Sequence, residues 1–163
     1  MPDNTVAPQE FKELVRSLED TPRRIKQLVS ELGESKVRER SGDNTWSAVE
    51  HVCHLRDIET EGYAVRITKL LTEDQALLED IDGDKLAVER AYINQDFKEA
   101  LDAFINARAV NVEAVRNLSA DQLSKSGMFD NSPLSLLDLL KKMREHDHEH
   151  IDQLVQLTTQ LHR

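Results

Sequence analysis

The chain has 163 residues, 39% hydrophobic and 32% charged, and its 31 acidic and 21 basic side chains give a formal net charge of −10. This length predicts a single domain, residues 1–163, whose core can form without disulfides or a structural metal. The negative charge disfavours nucleic acid and anionic membranes, one cysteine excludes an internal disulfide, and no stretch approaches the ~20 apolar residues of a membrane span, so we expect a cytoplasmic protein.

Few glycines, few prolines and little apolar alternation favour an all-α chain. The first amphipathic pattern runs from about Pro8 to Glu19. Thr21 and Pro22 are typical of an N-cap followed by the first residue of a helix. The sequence therefore predicts that a second helical piece starts at Pro22 and ends near Leu32, before a charged connection over residues 34–45.

A longer helix is predicted from a capping box formed by Ser47 and Glu50 to about Leu71. It carries His51 and His54, and periodicity alone does not decide which of them faces inward. Either could be a metal ligand, or both could be ordinary boundary residues. We interpret the neighbouring Cys53 as a small buried filler rather than a nucleophile.

The segment from Thr72 to Asn94 is irregular and acidic. Its run from Asp80 to Asp84 resembles the start of a calcium loop, but the twelfth position from Asp80 is Ala91, which has no carboxylate. We therefore predict a solvated crossover containing a short helix over Lys85–Ala91.

Another helix is predicted from Asp96 to about Asn117. Arg108 lies near its apolar face and either pairs with a buried carboxylate or extends its stem along the bundle, the commoner case. A connector follows over residues 118–131. Ser132 and Pro133 then have the residue types of an N-cap and a first helical position, which predicts the start of the last helix there.

The last helix carries His146 and His150 at i and i+4, with side chains about 5–6 Å apart and within reach of one metal ion. Both fall in its apolar row, whereas His148 points to another side. This favours an inward ligand pair over a packing accident. Carboxylate-bridged di-iron sites and His-Glu-x-x-His zinc peptidases do not fit the spacing of these histidines.

The order of these pieces resembles the DinB superfamily, which includes the YfiT-like metal-dependent hydrolases. The matching pieces cover nearly the whole chain and are, in order, Trp46-Ser47, His54-Leu55-Arg56-Asp57, Phe104 with Arg108, and His146-x-x-x-His150-x-x-Gln153-Leu154. The resemblance implies an all-α four-helix bundle with up-down-down-up topology and a long crossover between helices 2 and 3. It also implies that His54, rather than His51, joins His146 and His150 around one divalent metal.

For function, the resemblance implies a metal-dependent enzyme acting on a small electrophile, either a thiol-dependent S-transferase with a low-molecular-weight thiol as cosubstrate or a hydrolase. Three neutral imidazoles would leave an ion's charge uncompensated and one position open, so the site should attract anions. Zinc, nickel, iron and manganese remain candidates for the ion. Glu50 and Asp57 lie about one turn from His54 and are either hydrogen-bond acceptors that orient its imidazole or solvent-facing charges.

The alternative hypothesis is a non-catalytic helical bundle, a dimeric binding or stress-response protein with a structural or vestigial metal site. With either function we expect a homodimer, a small-molecule ligand and no β-sheet of consequence. We further expect His51→Ala and His148→Ala variants to bind metal nearly as well as the parent.

Overall fold

The computed structural model describes residues 6–162. Its long helical segments are α1 (Pro8–Leu32), α2 (Ala48–Asp57) continued by a π-helical turn (Ile58–Tyr63) into α3 (Ala64–Thr72), α5 (Phe97–Val115) and α7 (Leu136–Leu161). The short helices α4 (Gly83–Glu89) and α6 (Ala120–Leu123) lie in the connections. Within this range, no helix combines the length and apolar character needed to cross a membrane.

Side-chain contacts give the directions of the four segments. Between α1 and α7, residues later in the first segment contact residues later in the second: Thr21 contacts Asp147, and Lys36, just after α1, contacts Leu161. The same holds between α2 and α5, where Arg56 contacts Gln95, just before α5, and Glu59, in the π-helical turn, contacts Arg108. The order is reversed between α2 and α7 (His51 with His150, His54 with His146). This is the predicted up-down-down-up bundle, and residues 73–96 form its long crossover.

The prediction of a helix restart at Pro22 was wrong, because α1 is continuous from Pro8 to Leu32. Proline has no N–H, so the carbonyl four residues earlier, that of Leu18, loses its usual helical donor. The Arg108 guanidinium replaces that donor at 2.9 Å. A side chain from α5 thus satisfies the acceptor that Pro22 leaves free, and the helix passes through the proline.

The start of the last helix was also predicted wrongly. Ser132 and Pro133 lie in a strand, and the helix begins at Leu136, where the Ser135 hydroxyl accepts from the Asp138 N–H at 3.0 Å. Three short strands form a small sheet: β1 (Leu77–Leu78) pairs parallel with β2 (Ser126–Phe129), which pairs antiparallel with β3 (Ser132–Ser135). Strands of two to four residues carry too little periodicity to be predicted, and the fold remains all-α apart from them.

The interior has two apolar clusters separated by a polar layer. One contains Leu18, Val112 and Met143, and the other contains Ile25, Phe104 and Leu154. Two buried residues of the same helix, such as Leu18 and Ile25 of α1, thus lie on opposite sides of the layer. The candidate site and a buried ion cluster occupy this layer between the two hydrophobic halves.

Candidate metal centre

Three imidazoles from two helices converge at the polar layer. The Nε2 atom of His146 lies 3.1 Å from Nε2 of His54 and 3.1 Å from Nε2 of His150. Two nitrogens bound to one ion at about 2.0–2.1 Å would lie about 2.9–3.4 Å apart for angles between square and tetrahedral. The spacing therefore fits one divalent ion held by the three Nε2 atoms, and within residues 6–162 no fourth His, Cys, Asp or Glu joins the group.

Local sequence features place these rings. The Ser47 side chain accepts from the Glu50 N–H and the Glu50 side chain accepts from the Ser47 N–H, so the predicted capping box fixes where α2 begins. His54 follows two turns later, and its ring packs against Gly83, where an added Cβ would lie 2.7 Å from His54 Cε1. The crossover can approach the imidazole this closely only with glycine at position 83.

The protons of the three rings cannot satisfy these contacts by themselves. A neutral imidazole has one N–H and one lone pair, so His146 Nε2 can make one hydrogen bond with its two neighbouring Nε2 atoms. The other contact can at best share the same proton or lone pair, which gives a weaker three-centre interaction. His146 Nδ1 is in addition the buried side-chain polar atom of residues 6–162 that lacks a hydrogen-bond partner. A cation shared by three lone pairs would remove the conflict at Nε2, so this donor set fits a metal.

The rings stay uncharged at neutral pH. Burial, reinforced by neighbouring positive groups, lowers the pKa of His54 and of His146 to about 4. Burial also lowers the pKa of His150, and the adjacent His146, His51 and His54 lower it further. Neutral imidazoles keep the lone pair that a metal requires, so the folded chain presents ligands in their binding form.

His51 contacts this group, contrary to the expectation that its side chain points elsewhere. Its Nδ1 atom lies 2.9 Å from Nδ1 of His150 and its ring is buried. One of these nitrogens must donate and the other accept. If His150 Nδ1 carries the proton, His150 Nε2 holds the lone pair that faces the other two rings, so His51 would fix the ligand tautomer of His150. His148 is exposed and lies outside the cluster, as predicted.

Glu50 and Asp57 fit neither alternative from the sequence: both are buried rather than solvent-facing, and their carboxylates accept hydrogen bonds from groups other than the imidazoles. The Glu50 carboxylate accepts from Ser47 and Arg40. The Asp57 carboxylate accepts from Arg56 at 2.7 Å and from the Tyr92 hydroxyl at 2.5 Å. The contact between Ser47 and Glu50 is the capping box that the sequence predicted, whereas the spacing of residues along α2 could not reveal the contacts with Arg40 and Tyr92.

Next to the imidazoles, Arg108 enters a buried ion cluster instead of extending to solvent. All five of its N–H groups have acceptors: Glu59 and Asp147 carboxylate oxygens at 2.6–2.9 Å and the Leu18 carbonyl. The Thr21 hydroxyl donates to the Asp147 carboxylate, and the Asn111 amide donates to the Glu59 carboxylate, each at 2.7 Å. Asp147 directly follows His146, so this cluster fixes the rotation of α7 that turns His146 and His150 toward α2.

A cleft of about 810 Å³ leads to the three rings. Its lining also contains residues that helical periodicity did not assign to a site, namely Trp46, Asp80, Asp82, Gly83, Asp84, Gln153, Gln156 and Gln160. The Trp46 ring is 5.0 Å from that of His54 and stacks at 6.1 Å on that of His150. Trp46 and Gln153 belong to the motifs that carry the family resemblance, and the run from Asp80 to Asp84 was notable for its charge, but neither pattern placed these residues beside the imidazoles.

Comparisons with known proteins agree with this fold. A sequence model described as the DinB superfamily matches residues 17–154. A solved structure, described as "YfiT from Bacillus subtilis is a probable metal-dependent hydrolase with an unusual four-helix bundle topology", superposes with a TM-score of 0.87 at 20% identity, covering 98% of this chain and 91% of that chain. Among curated proteins there is no significant match.

Proposed function

The chain belongs to the DinB superfamily, and from this premise we propose that it is a divalent-metal-dependent enzyme with His54, His146 and His150 as the metal ligands. The reaction we propose is transfer of a low-molecular-weight thiol to, or hydrolysis of, a small electrophile. The observation that carries the proposal is the convergence of three neutral imidazoles at the end of an open cleft, with His146 Nε2 lying 3.1 Å from Nε2 of each of the other two.

Three protein ligands and an accessible cleft support catalysis over a structural role. Structural zinc sites are closed by four protein ligands, whereas catalytic ones keep a position for water or substrate. When bound, the ion would act as a Lewis acid that lowers the pKa of a coordinated water or thiol. The chain's own groups would hold the three lone pairs in place, with His51 oriented toward His150 and Trp46 covering the His150 ring.

The alternative is a bundle whose metal is structural or vestigial and which acts by binding alone. It predicts a fourth ligand or a closed shell, and in residues 6–162 neither a fourth ligand nor a lid over the cleft is present. We also retain the homodimer as a proposal. Light scattering that gives a monomer mass at high protein concentration would contradict it.

Elemental analysis of protein purified without a metal-affinity tag tests the proposed function. We expect close to one equivalent of zinc, nickel, iron or manganese per chain. The loaded protein should then transfer or hydrolyse at least one electrophile in a screen with and without small thiols, and His54→Ala should lose both metal and activity. His148→Ala is the matched control. Full loading without turnover in any condition would favour the binding protein, and failure to load would reject both the enzyme and the metal site.

A further inference from the structure

The mouth of the metal cleft carries charge of one sign. Its charged lining residues, apart from the histidines, are Asp80, Asp82 and Asp84 from the crossover and Glu149 from α7. Within residues 6–162, no lysine or arginine lines this cleft. The rest of the lining is mainly serine, threonine, asparagine and glutamine, which add hydrogen-bonding groups but no charge.

Basic side chains do not neutralise these carboxylates. In the part of the chain that the structure describes, Asp82, Asp84 and Glu149 have no salt-bridge partner within 4.0 Å. Asp80 has one contact to Arg66 at 4.0 Å, with its own side chain 78% exposed. Four formal negative charges therefore surround the entrance, and they add to a net charge of −10 on the whole chain.

The acidic loop lies directly against the imidazoles and the single tryptophan. A Cβ on Gly83, between Asp82 and Asp84, would be 2.7 Å from His54 Cε1 and 3.6 Å from an edge carbon of Trp46. Glu149 precedes His150 on α7. A ligand that reaches the three nitrogens thus passes carboxylates and an indole ring, and together these bind ammonium groups favourably through charge and cation–π attraction.

We infer that the molecule processed at this site carries a cationic group, a protonated or quaternary amine, which binds at the acidic mouth beside Trp46 while its reactive end reaches the imidazoles. This inference rests on the proposed function for the reactive end only. The acidic mouth and the proposed metal position favour ligand groups of opposite charge. An ion on three neutral imidazoles attracts an anionic donor atom, whereas the carboxylates at the mouth attract a positive charge farther out. Cosubstrates whose distal groups are anionic should bind poorly.

A second pocket of about 280 Å³ adjoins His146 and, unlike the first, carries charges of both signs. It contains Arg66 and Lys142, together with Glu145 and Glu149. Arg66 already donates two N–H groups to the Glu79 carbonyl, at 3.1 and 2.7 Å. Its charge is therefore partly engaged, and two carboxylates face the two cations, so only the first cleft has lining charges of a single sign.

The first test uses the fluorescence of Trp46, the one tryptophan of the chain. The quenching constants of caesium and iodide are each divided by that of a neutral quencher. In metal-free protein at low salt, the value for caesium should be several-fold larger than the value for iodide. In a variant with Asp80→Asn, Asp84→Asn and Glu149→Gln, this difference should largely vanish. Asp82 is kept because its side chain caps α4 by accepting from the Lys85 N–H. A control variant with Glu31→Gln, Asp102→Asn and Asp121→Asn makes the same charge change outside the cleft.

The second test measures the affinity of metal-loaded protein for three two-carbon thiols of fixed charge: 2-mercaptoethyltrimethylammonium, 2-mercaptoethanol and 2-mercaptoethanesulfonate. For each protein, the affinity for the cationic thiol is divided by the affinity for the anionic thiol. We expect this ratio to be about tenfold larger in the parent than in the variant with Asp80→Asn, Asp84→Asn and Glu149→Gln, and the difference to shrink at high salt. Taking the ratio between variants cancels the intrinsic acidities of the thiols.

Equal quenching by both ions, or an anionic thiol that binds most tightly in the parent, would overturn the inference. So would a neutralised variant that keeps the parent's preference, or a control variant that loses it. Failure of the protein to bind metal would instead reject the proposed function, and the quenching experiment would still decide the charge of the ligand.

Discussion

Two buried polar clusters lie side by side on α7, and they differ in how completely the protein satisfies them. Around Arg108, every N–H group has an acceptor, and two carboxylates balance its charge. Burial alone would lower the pKa of Arg108, but the Glu59 and Asp147 carboxylates reverse that effect and raise it. Among the imidazoles, by contrast, facing Nε2 atoms compete for protons and His146 Nδ1 has no partner.

The contrast shows which cluster serves the fold and which awaits a ligand. Leaving a buried polar group unsatisfied costs about 1–3 kcal/mol, so a protein keeps such groups where something outside the chain can satisfy them. The arginine cluster needs nothing more and holds α1, α5 and α7 together. In the imidazole cluster, a cation bound as we propose would satisfy the three Nε2 atoms, and burial already keeps the rings in the neutral form that such binding requires.

The largest effect should come from removing a proposed ligand. His54→Ala, His146→Ala and His150→Ala should each abolish stoichiometric metal binding, a loss greater than the roughly 10–100-fold that outer contacts contribute. Helix content measured by circular dichroism should not change, because the two apolar clusters form the core without metal. Isothermal titration gives the binding result. Full binding by all three variants would mean that the inward histidines are only core residues.

The arginine cluster should respond in stability instead. Asp147→Ala leaves Glu59 to balance the Arg108 charge but removes the buried acceptor of two Arg108 N–H groups and of the Thr21 hydroxyl, which should cost about 1–3 kcal/mol in the free energy of unfolding for each donor left unsatisfied. Urea titration measures it. Asp152→Ala, on the exposed face of the same helix, is the control and should change stability by about 0.5 kcal/mol or less. A similar small loss for Asp147→Ala would show that the cluster is not what stabilises the layer.

Acid should separate the clusters further. The pKa of the His54 and His146 imidazoles is about 4 in the folded chain, whereas an unperturbed histidine side chain has a pKa of 6.5. Between pH 6.5 and pH 4, the unfolded chain therefore binds more protons than the folded chain. The metal-free protein should therefore lose stability as the pH falls through this window, by up to about 1.4 kcal/mol per pH unit for each imidazole.

The measurement is urea unfolding at pH 7, 5.5 and 4.5, for the parent and for a variant with His54, His146 and His150 changed to glutamine. The variant should show a flatter dependence on pH. Equal slopes in the two proteins would assign the acid sensitivity to carboxylates elsewhere.

The smallest effect should distinguish His51 from His148. Because His51 contacts Nδ1 of His150, His51→Ala should weaken metal affinity by about 10–100-fold without abolishing binding. The exposed His148→Ala should leave affinity unchanged. Competition with a chelator of known affinity measures both. Equal, unchanged affinities would restore the first expectation, which came from the family resemblance, that His51 has no part in the site.

The sequence by itself determined that the chain is helical and that His146 and His150 lie on the same side of one helix. Local chemistry is responsible: the Ser47 and Glu50 box fixes the start of α2, and the i,i+4 spacing puts His146 and His150 on the apolar face of α7. The choice of His54 over His51 came from the order of motifs that resembles the DinB superfamily, because periodicity left both open. The family match and the fold confirm that resemblance.

Tertiary structure alone decided the features that depend on partners distant in sequence. Pro22 could remain inside α1 only because Arg108, 86 positions later in the numbering, supplies a donor to Leu18. His51 contacts His150, which belongs to a helix that begins at Leu136. The acidic segment from Asp80 to Asp84 packs against His54 only because Gly83 has no side chain. Spacing along one helix defines which side chains share a face, but the groups on the opposite wall, which set protonation, charge and access, are fixed by packing.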